Sequence, residues 1–77
     1  MKDAIGRIFK GAAEVFLLPG LVWESEVFPA AAERLRTQFT GERAYSPAYG
    51  DPIRYFLTFG AKALGDGWQF ERLTPPE

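Results

Sequence analysis

The chain has neither cysteine nor histidine among its 77 residues. Disulfides are excluded, and so are the ligands on which structural zinc sites depend. The same absence removes the usual general base and the thiolate nucleophile, which leaves carboxylates, lysines and tyrosines for any acid–base chemistry. Neither sign of charge predominates. Nine basic residues against ten acidic ones give a net charge of −1, which supplies no basic excess for nucleic acid.

Long apolar runs are also missing. The longest stretch free of charge, residues 15–23, falls well short of the ~20 residues a helix needs to span a bilayer. It is also broken by Pro19-Gly20. Arg7, Lys10 and Glu14 interrupt the only segment that could serve as a secretory signal, so none is read and a cytoplasmic location is expected.

What the chain does hold is apolar bulk: 47% hydrophobic and 16% aromatic residues, too much for a disordered segment. One domain over residues 1–77 follows, near the lower limit at which a core holds a fold without staples. Packing, or a partner, must supply the stability.

Three stretches carry helical spacing. In residues 3–17, Ile5, Ile8, Phe9, Ala12, Ala13 and Phe16 recur at i, i+3, i+4, i+7, i+8 and i+11, the stripe of an amphipathic helix. Gly6 and Gly11 weaken it by about 0.5–1 kcal/mol each relative to Ala. In residues 29–40, Ala31, Ala32, Leu35 and Phe39 share a face with Phe28, Pro29 suits the first turn, and Gly41 suits a terminator. In residues 52–64, Ile53, Phe56, Leu57, Gly60, Ala61 and Leu64 form a stripe, with Asp51 as N-cap, Pro52 at the first position and Gly65 at the end. Residues 21–27 and 67–73 read as extended, the latter laying Trp68 and Phe70 over the helices and pairing with the former. The expected fold is mainly α, a compact three-helix domain with a short antiparallel strand pair or extended C-terminal arm. A small α+β fold is the alternative.

No motif specifies a reaction. Glu24 and Glu26 are the nearest acidic pair, but neighbouring acids on a short strand are usually a solvated edge rather than a catalytic dyad. Gly65-Asp66-Gly67 lacks the lysine and the following helix of a phosphate loop and reads as a turn. Asp51 and Asp66 are too few oxygens for a hard cation. Arg34, Arg36, Arg43, Arg54 and Arg72 either have an acid nearby or stand alone, which argues against nucleic acid. No cofactor, metal site or enzymatic activity is expected.

The remaining feature is the second face of the 52–64 helix, where Tyr55 and Phe59 lie one turn apart beside Lys62, with Tyr49 in the preceding loop. Coverage by the chain's own loop or tail is the ordinary explanation. A partner surface is the functional one, because aromatic residues beside cations are common interface anchors. The expectation is a non-enzymatic interaction module, an accessory subunit or inhibitor. It would bind a larger protein, or a second copy, through Tyr55, Phe59, Tyr49 and Trp68, with Glu24 and Glu26 steering a basic partner. The alternative is a peripheral membrane protein that inserts Ile5, Ile8, Phe9 and Phe16 of the first helix at a lipid boundary.

Overall fold

A computed structural model describes residues 4–39 and 45–73. The Gly41 terminator and Arg43 lie outside the described residues. Among the described residues, a four-stranded antiparallel sheet carries two helices on one face. The strands are β1 (Gly6–Lys10), β2 (Ala13–Leu18), β3 (Val22–Glu24) and β4 (Gln69–Arg72), in the order β3-β2-β1-β4. The helices are α1 (Pro29–Gln38) and α2 (Pro52–Leu64), with a 3-10 turn at Pro47–Tyr49 between them. The fold is therefore α+β and not the mainly α, three-helix domain that the stripes suggest.

The correction falls on residues 3–17. The same residues that fit a helical stripe also alternate, and the alternation prevails: Gly6, Ile8, Val15 and Leu17 point inward and are buried, while Arg7, Phe9, Glu14 and Phe16 point outward. Both glycines that would weaken a helix serve the hairpin. Gly11 is the first residue of the two-residue connection between the paired Lys10 and Ala13, at φ +60°. That is the sign a tight hairpin turn requires there. Gly6 lies beneath α2, where a Cβ would come within 2.8 Å of Leu57 Cδ2.

On the outer face, Arg7 donates to Glu14 at 2.7 Å and to Glu71 at 2.6 Å, and its guanidinium sits 4.2 Å from the Phe9 ring centroid. One arginine thus ties three strands together. Pro19-Gly20 turns the chain from β2 into β3: Leu21 N donates to Leu18 O, and Gly20 has φ +87°.

The two extended segments form strands but do not pair with each other. β3 joins β2 at one edge and β4 joins β1 at the other. With the hairpin between them, residues 67–73 complete a sheet rather than form an arm laid over helices.

α2 carries the caps visible in the sequence. Asp51 Oδ1 accepts from Ile53 N at 3.1 Å and Arg54 N at 3.4 Å, Pro52 opens the helix, and Gly65 at φ +119° follows it. α1 ends at Gln38, with Phe39 already extended. The core between the layers gathers Ile8, Val15, Leu17, Trp23, Leu35, Phe56 and Leu57. Gly60 lets α2 approach the sheet, since a Cβ there would lie 2.9 Å from Ile8 Cδ1 and 3.0 Å from the Trp23 ring. Trp23 stacks on Phe56 with centroids 6.1 Å apart, and its buried indole N–H has no acceptor among the described residues. An unpaired buried donor costs about 1–3 kcal/mol, comparable to what burial of a large apolar side chain contributes.

Candidate functional site

Two surfaces emerge from this arrangement. The first is a groove of about 420 Å³ where the tip of the β1–β2 hairpin, the start of α1 and the end of α2 meet. Its aromatic wall is Phe28 stacked on Trp68, with centroids 6.0 Å apart and planes inclined by 24°. Ala30 and Ala31 of α1 and Ala13 of β2 keep it open because they are small, and Leu64 closes the far side.

Ser25 holds Phe28 in place. Its hydroxyl donates to Glu14 O at 2.5 Å and accepts from Phe28 N at 2.9 Å, which fastens the β3–α1 connection to β2. Trp68 is placed by the Gly65–Gly67 turn, where Gly67 at φ +88° leaves room for the Lys10 stem against its backbone.

The rim of the groove is cationic. Lys10 and Arg34 both line it and are exposed, and no carboxylate lines it among the described residues. Neither side chain has an ion-pair or hydrogen-bond partner among the described residues, whereas Arg7, Arg36 and Arg72 are all engaged: Arg7 with Glu14 and Glu71, Arg36 with Glu33 and Trp23 O, Arg72 with Asp51. An apolar groove with two unpaired cations at its lip suits an apolar group that carries negative charge.

The second surface is the tyrosine cluster on α2. Tyr55 and Phe59 lie 4.8 Å apart by ring centroids, Tyr49 meets them edge-on at 5.3 and 6.0 Å, and Tyr45 meets Tyr55 at 5.9 Å. Lys62 Nζ stands 5.7 Å from the Phe59 ring. Tyr55 and Phe59 are half-buried, and the loop that carries Tyr45 and Tyr49 covers them. Tyr45 is held over the cluster by the bond from its hydroxyl to Gly50 O at 3.1 Å. Tyr49 is the ring left outermost, 42% exposed.

The residues singled out from sequence therefore separate. Tyr49, Tyr55 and Phe59 come together, while Trp68 belongs to the groove. Glu24 points from β3 to the outer face of the sheet, and Glu26 lines a small cleft there with Glu14, Phe16 and Val27. The periodicity of the sequence conceals Phe28, Lys10 and Arg34. Phe28 falls on the apolar stripe of its helix, yet it is 38% exposed because it precedes the helix as its N-cap residue.

The membrane alternative loses its element. Residues 3–17 form no helix where described, Ile8 is fully buried, and no described helix is long and apolar enough to cross a membrane. Nor do the described residues include a group of three or more His, Cys, Asp or Glu side chains that could hold a metal ion. Asp51 has a shifted pKa: burial raises it, but the Arg54 N–H, the Arg72 guanidinium and the Ile53 N–H together outweigh burial and hold the carboxyl below its ordinary value. These partners are those of a helix cap and a surface ion pair, which accounts for the shift without a catalytic role.

No protein-family model matches the chain, and neither a curated protein nor a solved structure does.

Proposed function

We propose that this chain is a non-enzymatic interaction module, an accessory subunit or small inhibitor, that acts by seating a segment of a larger protein in the Phe28–Trp68 groove. One observation carries the reading: a stacked, partly exposed aromatic pair flanked by two cations that no carboxylate of the described chain neutralises. Aromatic side chains in a concave site supply contact area at low entropic cost, while unpaired charges at its rim select the sign of the partner and speed encounter.

The partner segment accordingly presents an apolar side chain to the groove and acidic groups to Lys10 and Arg34. Steering falls to these cations and not to Glu24 and Glu26, which lie on the other face of the sheet. Two rim cations are too few phosphate contacts for nucleic acid. A cytoplasmic setting belongs to the same proposal, since the fold uses no disulfide.

The test is affinity capture from the native host with the wild-type chain, a Lys10→Glu/Arg34→Glu variant and a Tyr49→Ser variant, each checked for folding by circular dichroism. A partner retained by the wild type and by Tyr49→Ser, weakened by salt and lost with the double charge reversal supports the groove. Retention of the same partners by the double variant refutes it. Loss with Tyr49→Ser alone moves the site to the tyrosine cluster.

A further inference from the structure

The two edges of the sheet are not equivalent. In an antiparallel sheet, successive residues direct their N–H and C=O groups alternately to one side and the other. Leu73 N donates to Ile5 O, so residues 71 and 69 also bond toward β1, and the backbone groups of Phe70 and Arg72 point out of the sheet. At the opposite edge, Arg36 Nη1 reaches across from α1 to Trp23 O at 2.7 Å and occupies a carbonyl of the three-residue β3. Among the described residues, the β3 edge is guarded and the β4 edge is open.

Charged side chains ordinarily protect an open edge. Here both charges of β4 are already engaged within the chain. Glu71 takes Arg7 at 2.6 Å on the outer face, and Arg72 donates to Asp51 at 2.7 Å on the inner one. Phe70 is registered against Ile8 and so points to the helix-covered face, where it lines a cleft with Arg54 and Leu57 of α2, yet it remains 42% exposed. Leu73 beside it is 38% exposed. Among the described residues the edge therefore combines unpaired backbone groups, neutralised charges and a partly exposed aromatic ring.

We propose that the occupant of this edge is the β4 strand of a second copy of the chain, which joins two sheets into one of eight strands. The sequence of β4 selects the register. Because the free backbone groups belong to Phe70 and Arg72, only registers that set these positions against each other or against themselves form edge hydrogen bonds. Two such antiparallel registers pair three of the four residues of β4. One sets Glu71 opposite Glu71, a destabilising like-charge pair. The other sets Phe70 opposite Phe70, Gln69 opposite Glu71, and Arg72 opposite Trp68 of the second copy. It opposes no like charges and covers both Phe70 rings. It also keeps all four helices on one face, so the exposed phenylalanines meet in a shared apolar layer. The contact is small beside the roughly 800 Å² per partner of a standard interface, so the dimer is concentration-dependent.

Sedimentation across a concentration series, with amide hydrogen exchange followed by NMR on the same samples, tests this. The expected result is a monomer–dimer equilibrium in which the Phe70 and Arg72 amides exchange about tenfold or more slowly once the dimer dominates. The Gln69 and Glu71 amides, bonded within one copy, should be protected throughout. Phe70→Lys places two lysines face to face and should abolish the dimer. Arg72→Pro removes an outward N–H that the chain's own sheet does not use and should also abolish it, with each variant's own fold verified by circular dichroism. A wild type that stays monomeric at the highest soluble concentration overturns the proposal. So does a dimer that forms without slowing these two amides or that survives both variants. None of these readouts involves the Phe28–Trp68 groove, so this proposal and the function proposed above fail separately.

Discussion

Replacing Gly11 by alanine separates a hairpin from a helix by the sign of its effect. Gly11 is exposed, and a Cβ built on it meets no atom within 4 Å, so packing contributes nothing and only the backbone responds. At φ +60°, an L-residue is disfavoured by roughly 1–2 kcal/mol. The stiffer unfolded chain offsets about 0.4–1 kcal/mol of that, leaving a net loss on the order of 1 kcal/mol. Were residues 3–17 a helix, the same substitution would remove a mid-helix glycine and stabilise the protein by about 0.5–1 kcal/mol. With an unfolding entropy near 2.1 cal/mol/K per residue, 1 kcal/mol moves the midpoint of a chain this size by about 6 °C. Thermal melts followed by circular dichroism and urea titrations followed by tryptophan fluorescence should both show Gly11→Ala less stable than wild type, with an unchanged urea m-value. A higher melting temperature would falsify the hairpin assignment and the reasoning behind it.

Gly60→Val should cost about 2–4 kcal/mol in the same urea assay, because its Cβ alone overlaps Ile8 and the stacked Trp23 ring and the added methyls have no space; a loss below about 0.5 kcal/mol would mean that α2 does not sit this close to the sheet. Asp51→Asn keeps a good N-cap but removes the charge. The wild-type carboxyl is held below its unfolded value, so its contribution is complete above the unfolded pKa and lost as pH falls through the folded one. Stability measured from neutral pH down through the carboxylate range should therefore fall less steeply for the Asn variant. The difference should stay under about 1 kcal/mol, because the Arg72 pair is solvent-exposed. Parallel acid profiles for the two proteins would contradict the assigned role of Asp51.

The second helix was legible in the sequence because its signals are local. Asp51, Pro52 and Gly65 act on their nearest backbone neighbours, and the stripe from Ile53 to Leu64 has a single period that suits one structure. Residues 3–17 satisfied two periods at once. Ile5, Ile8, Phe9, Ala12 and Phe16 mark a helix, while Gly6, Ile8, Val15 and Leu17 alternate as strands, and local propensity could not decide between them. The decision came from partners distant in sequence: β4 on the far side of β1, with Glu71 reaching Arg7, and α2 pressing Leu57 onto Gly6.

The candidate site divides in the same way. The neighbourhood of Tyr55, Phe59 and Tyr49 follows from a helix turn and the loop before it, and could be read directly. The groove could not. Phe28 and Arg34 belong to the α1 segment, but Lys10 and Trp68 come from two others distant in sequence, and whether a cation is paired depends on which carboxylates the fold brings near it. By itself the sequence determined a thiol-free, nearly neutral chain with enough aromatic bulk to fold and with a well-capped helix over Pro52–Leu64. Tertiary structure alone decided that the first stripe is a hairpin, that one sheet edge is open, and that two cations flank an aromatic groove, because each depends on contacts between segments far apart in the chain.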